Sequence, residues 1–202
     1  MNRPYILASG SPRRIEMMRA NGFNPQVMPS DIDESLPLHH GMTETAAFLA
    51  LKKARDVERR WLADALQNSR PADSALPPVI IAADTIVYYD GEIMGKPADK
   101  EDGFRMLSAL RGQVHDVVTG VALVEAGMQK ARVFYEITRV FFTDYSDADL
   151  LAYLDTEEAY DKAGGYAIQG HFARYIDHIE GDYDNVVGFP WKRIMEELKQ
   201  FD

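Results

Sequence analysis

Cysteine is absent from the 202 residues. That removes disulfides, thiolate metal sites and cysteine nucleophiles together, so stability has to come from a packed core. Positive charge is also scarce: 22 Lys and Arg stand against 32 Asp and Glu, a net charge of −10, with no long basic run. Such a surface repels a phosphate backbone, and no nucleic-acid partner is expected. Long hydrophobic runs are missing as well. The stretch from Pro78 to Val87 is interrupted by Asp84-Thr85 and is far shorter than the roughly 20 apolar residues a membrane-spanning helix needs. The opening residues carry no apolar signal core, so the expectation is a soluble, cytoplasmic protein with no membrane partner. The five histidines show no metal-ligand spacing and read as structural or surface residues. At this length a chain buries roughly 70% of its unfolded surface, enough for one domain over residues 1–202 without staples.

What is present reads as alternating strands and helices. Pro4 to Ser9 is a short strand, and Ser11-Pro12 starts a helix with Ser11 as cap, Met17, Met18 and Ala20 as its apolar face, and Asn21-Gly22 as its stop. Phe23 to Pro29 can form a second strand, and residues 30–42 a surface loop. Thr43 to Gln67 is the longest helix, with Phe48, Leu51, Val57, Trp61, Ala65 and Leu66 as its stripe; residues 67–78 are a Pro/Ser/Asp surface insertion. Val79 to Tyr89 is an apolar strand, and Asp90-Gly91 turns it back through Glu92 to Met94. A helix from Asp99 to Gly112 precedes two strands, Val114 to Val124 and Arg132 to Phe142, joined near Gly127. Ser146 and Asp149 form a capping box for a helix through Leu154, Ala173 to Ile179 alternates as a strand, and Pro190 to Phe201 is an amphipathic helix. The fold class is α/β, with a mixed twisted β-sheet flanked by helices.

Several residues are placed for chemistry. Ser9-Gly10-Ser11-Pro12-Arg13-Arg14 sets two arginines in the first turn of a helix, the wrong sign for its dipole; they either serve a bound phosphate or carboxylate, or point into water or pair with nearby acids. Asp84 interrupts an apolar strand, where an unpaired carboxylate is costly; it needs a cation, a donor set or a metal, as a structural ion pair or as a reactive acid. Lys96 follows the hairpin and can fold back toward the same cleft, whereas Lys53 and Glu34 are unremarkable in isolation. Asp161 to Gly170 (DKAGGYAIQG) holds three glycines that permit close approach to a ligand, and reads otherwise as a flexible loop.

Taken in order, Ile6 to Arg14, Ala83-Asp84-Thr85, Gly95-Lys96-Pro97, Val118-Thr119-Gly120-Val121 and the two late blocks, residues 161–170 and 180–190, resemble the Maf family of nucleoside triphosphate pyrophosphatases, related in fold to inosine triphosphate pyrophosphatases. The resemblance implies hydrolysis of a nucleoside triphosphate to monophosphate and pyrophosphate with a divalent metal, Mg or Mn, in a homodimer. Asp161 to Tyr166 and Ile168-Gln169-Gly170 resemble the branch acting on dTTP and UTP. By that resemblance Asp84 is the catalytic proton acceptor, and Arg13, Thr85 and Gln169 select the base. Ser9, Arg14, Lys53, Lys96 and Lys162 hold phosphates, and Glu34 with Asp84 holds the metal. Ala167, His171-Phe172 and Asp184 depart from the usual blocks of that branch. The resemblance also leaves a second reading, a nucleotide-binding regulator of cell division without turnover.

Overall fold

A computed structural model describes residues 3–34, 41–67, 76–156 and 158–201. Seven strands form one mixed sheet: β1 (Tyr5–Leu7), β2 (Gln26–Val27), β3 (Val79–Tyr89), β4 (Glu92–Met94), β5 (Val114–Glu125), β6 (Ala131–Phe142) and β7 (Ile176–Glu180). Their order is β2-β1-β3-β5-β6-β7, with β4 paired to β3. β1 runs parallel to β2 and β3, with Leu7 opposite Ile81, while β3–β4 and β6–β7 are antiparallel. The helices are α1 (Pro12–Ala20), α2 (Met42–Gln67), α3 (Lys100–Leu110), α4 (Asp147–Leu154), α5 (Tyr183–Val187) and α6 (Trp191–Phe201). The α/β class and mixed sheet are as expected from sequence. No helix among the described residues is long and apolar enough to cross a membrane.

The chain divides into two compact units. The first comprises Met1–Asp84, Gly120–Tyr135 and Trp191–Asp202; the second comprises Thr85–Thr119 and Glu136–Pro190. The first unit's core joins Ile6, Ala8, Ile80, Ala82, Ala122 and Val124 of the strands to Ala50, Ala54 and Val57 of α2. The second has an aromatic core, in which Phe142, Tyr145, Tyr153, Tyr166 and Phe172 pack with Leu107, Leu110 and Leu150.

Local signals are realised where they are self-contained. The hairpin turns through Asp90 at φ 48° and Gly91 at φ 86°, the backbone that a two-residue turn demands. Asp99 caps α3 by accepting from Asp102 N–H, and Ser146 with Asp149 closes a capping box on α4.

Other expectations need correction. Ser11 occupies the cap position of α1, but its side chain makes no cap bond, and of the expected apolar face only Met18 is buried. The second strand shrinks to two residues. On α2 the buried face is Thr45, Ala46, Leu49, Ala50, Ala54 and Val57, so Phe48 and Leu66 of the expected stripe are exposed. A 3-10 turn at His171–Tyr175 replaces the first part of the expected 173–179 strand, and it buries Phe172 completely. The short helix α5 was not anticipated. The 67–78 insertion falls mostly outside the described residues.

Candidate active site

In the first unit the site grows from the C-terminal end of β1 and the middle of β3, its parallel neighbour. Ala8 N–H donates to Ile81 O at 2.8 Å, so β1 stays paired to β3 until the chain turns at Ser9. Ser9 Oγ accepts from Ser11 N–H at 3.2 Å and from the Arg14 guanidinium at 3.3 Å. Both bonds use oxygen lone pairs, which leaves the Ser9 hydroxyl hydrogen to donate elsewhere. Arg14 also donates to Ala83 O at 2.7 Å, which ties it to the middle of β3. Burial pulls the Arg14 guanidinium below its ordinary pKa; Asp84 and Glu34 oppose that shift, and Arg13 adds to it. Arg13 itself is part-exposed.

Asp84 is buried, and its partner is Lys53 of α2, with Nζ 2.5 Å from Oδ1. The same ammonium lies 2.7 Å from Glu34 Oε1. Two carboxylates from distant parts of the chain therefore converge on one cation position. Ser9, Arg14, Glu34, Lys53 and Asp84 are thus brought into one linked cluster, in which the Asp84 charge acts on Arg14.

The second unit carries the remaining candidates. Thr85, the next residue of β3, places Oγ1 2.9 Å from Thr119 Oγ1. Thr119 Oγ1 also donates to Asn185 O at 3.1 Å, and Thr85 Oγ1 reaches Gly188 O at 3.5 Å, so the two hydroxyls share one network with these carbonyls. Lys96 is exposed just after Gly95, whose carbonyl accepts from Gly164 N–H at 2.9 Å. That bond ties the lysine's loop to the glycine turn, and Gly164 at φ 69° sits so close to Val87 that a Cβ would lie 2.8 Å from its side chain. Lys162 is engaged within its own loop, donating to Glu158 O at 3.0 Å and to Asp161 at 2.5 Å. Gln169 is exposed, and two residues on His171 is held through its backbone N–H and its ring by the Glu158 carboxylate. Tyr166, between Lys162 and Gln169, is anchored by its hydroxyl 2.6 Å from His115 Nε2.

The chain as a whole has counterparts among known proteins. The family model described as Maf-like protein matches residues 4–201. The chain belongs to the Maf family. It is 39% identical over 200 residues to the dTTP/UTP pyrophosphatase of Bacillus cytotoxicus, covering 99% of this chain and 96% of the relative. It is 40% identical over 188 residues to the protein of the same name in Alkaliphilus oremlandii, covering 93% and 91%.

Sequence reading of this Maf chain gives no role to three supporting residues. Thr119 and Asn185 complete the hydroxyl chain behind Thr85. Asp56, among the arginines of α2, is buried. One signal was available: Asp56 lies two helical turns after the buried Leu49, and hence on the same face.

Proposed function

We propose that this Maf protein hydrolyses nucleoside triphosphates, with dTTP and UTP as its substrates, to the monophosphate and pyrophosphate. The observation that carries the reading is the buried Asp84 carboxylate linked to Lys53 and Glu34 beside Arg14. The names of full-length relatives give the reaction and the base class.

Water adds to the α-phosphorus, the bond to the β-phosphate bridging oxygen breaks, and pyrophosphate leaves. Asp84 takes the water's proton as general base. The Ser9 hydroxyl, the Arg14 guanidinium and the positive dipole end of α1 bind phosphate oxygens. Lys96 and Lys162 contribute further positive charge, and Arg13, Thr85 and Gln169 select the base. Gln169 offers both a donor and an acceptor, matched to the carbonyl and N–H of a uracil or thymine edge.

Asp84 and Glu34 also fit a divalent cation, since both carboxylates already reach one cation position at Lys53 Nζ. Among the described residues no group of three or more acidic or histidine ligands assembles, which suits Mg or Mn held by two carboxylates and completed by substrate phosphates and water. When bound, such an ion neutralises phosphate oxygens and makes a bound water more acidic.

The test is pyrophosphate release from a panel of dTTP, UTP, CTP, GTP and ATP with Mg or Mn. Turnover of dTTP and UTP is expected, and Asp84→Asn should fold normally while losing at least about a hundredfold in kcat. Near-normal turnover of that variant rules out the role given to Asp84, and binding without pyrophosphate release points instead to a nucleotide sensor.

A further inference from the structure

The segment that delivers Glu34 has no secondary structure of its own from Met28 to Glu34, yet its course is fixed against one face of α2. Arg60 donates to the Pro29 carbonyl. Asp56 Oδ2 accepts from the Ser30 hydroxyl at 3.4 Å and from Asp31 N–H at 3.1 Å. Lys52 Nζ donates to Asp33 O at 2.6 Å, and Lys53 meets the Glu34 carboxylate. Positions 53, 56 and 60 are three and four apart, so they share a helix face, and a stiff helix serves as the template for the loop.

These contacts are unequal. The Glu34 side chain is 52% exposed, and a half-exposed ion pair is a weak anchor. The Asp56 side chain is only 6% exposed and is met by Arg59 at 2.8 Å and Arg60 at 3.1 Å as well as by the two loop donors. Charge-assisted bonds in that sheltered setting are strong, and a buried carboxylate without them would be costly. Burial pulls the Asp56 carboxyl up, yet the Asp31 N–H and the two guanidinium groups outweigh it and hold the group below its ordinary pKa. The loop is therefore gripped at Asp56, and Glu34 is carried to Lys53 by that grip.

We propose that Asp56 is a positioning residue for the hydrolysis: by fixing Ser30 and Asp31 on α2 it sets where Glu34 meets the cation position shared with Asp84. This rests on the function proposed above. The test combines Asp56→Asn, which keeps the side chain's size, with Glu34→Gln and the double variant, all in the full chain. Backbone hydrogen exchange and steady-state hydrolysis of dTTP are measured on each.

Asp56→Asn is expected to speed exchange across residues 29–34 and to lower kcat about tenfold, the lower range for a supporting residue, with KM for dTTP little changed. In the Glu34→Gln background the same substitution should cost no further activity. Equal losses in both backgrounds, or unchanged exchange at 29–34, overturn the proposal. Should Asp56→Asn misfold, Ser30→Ala loosens the same grip from the loop side and is judged by the same outcomes. If the unaltered chain hydrolyses no triphosphate, the proposed function fails; faster exchange in Asp56→Asn would still support the grip, and unchanged exchange would overturn it.

Discussion

His115, near the start of β5, is 3% exposed, and its ring packs edge-on against Phe142 and Tyr166. Its Nδ1 has no hydrogen-bond partner, and burial pushes its pKa from 6.5 down to about 3. The unfolded chain therefore takes up a proton near pH 6.5 that the folded chain refuses until about pH 3, and stability falls as pH drops through that window. The slope from this group alone is about 1.4 kcal/mol per pH unit. Urea unfolding at pH 7 and pH 5 should show the parent losing about 2 kcal/mol more than His115→Gln; equal losses would contradict a buried neutral ring. At this scale the sequence was legible wherever a residue broke a pattern. Asp84 stood out because an acid in an apolar strand is anomalous. Lys53 did not, since a lysine on a helix is ordinarily solvated, and nothing local links it to a carboxylate 31 residues away.

Between elements, α2 lies close against β5. A Cβ on Gly120 would lie 2.2 Å from the Ala46 carbonyl carbon and oxygen and 2.5 Å from Ala47 N, backbone atoms that cannot step aside. Glycine at that point, with Ala46, Ala50 and Ala54 on the helix face, lets α2 settle deep on the strands. That depth sets the reach of Lys53 to Asp84. Gly120→Ala should destabilise the fold by about 2–3 kcal/mol, the upper part of the overpacking range, as read by urea denaturation; an unchanged midpoint would mean the helix shifts freely. The small-residue face also explains why the buried side of α2 differs from the stripe that bulky residues predict. Alanines do not stand out as core positions in a sequence, while the bulky Phe48 and Leu66 lie on the exposed side. Hairpins and caps were easier because their signals lie within a few residues. At 173–179 period-two alternation suggested a strand, but the pull of the aromatic core on Phe172 wound the chain into a 3-10 turn. The helix α5, with five residues between its Asp182 cap and Gly188, is too short to display a period.

Over the whole molecule, a net charge of −10 opposes a substrate with nearly four negative charges of its own. The repulsion is long-ranged, reaching about 30 Å at 10 mM salt and about 8 Å at 150 mM, whereas Arg14 and Lys53 act at contact. Raising salt across that range should therefore increase kcat/KM for dTTP while leaving kcat unchanged; a steady fall would mean that local cations already govern the approach. The sequence by itself determined most of the strand and helix order, the turn at Asp90-Gly91, the capping box at Ser146 and the anomalous acid, because each is written in neighbouring residues through backbone preference and periodicity. Only the tertiary structure decided that Asp84 faces Lys53 and Glu34 and that Asp56 is buried. Those meetings depend on how deeply one helix lies on a strand far along the chain, a distance set by packing rather than by local pattern.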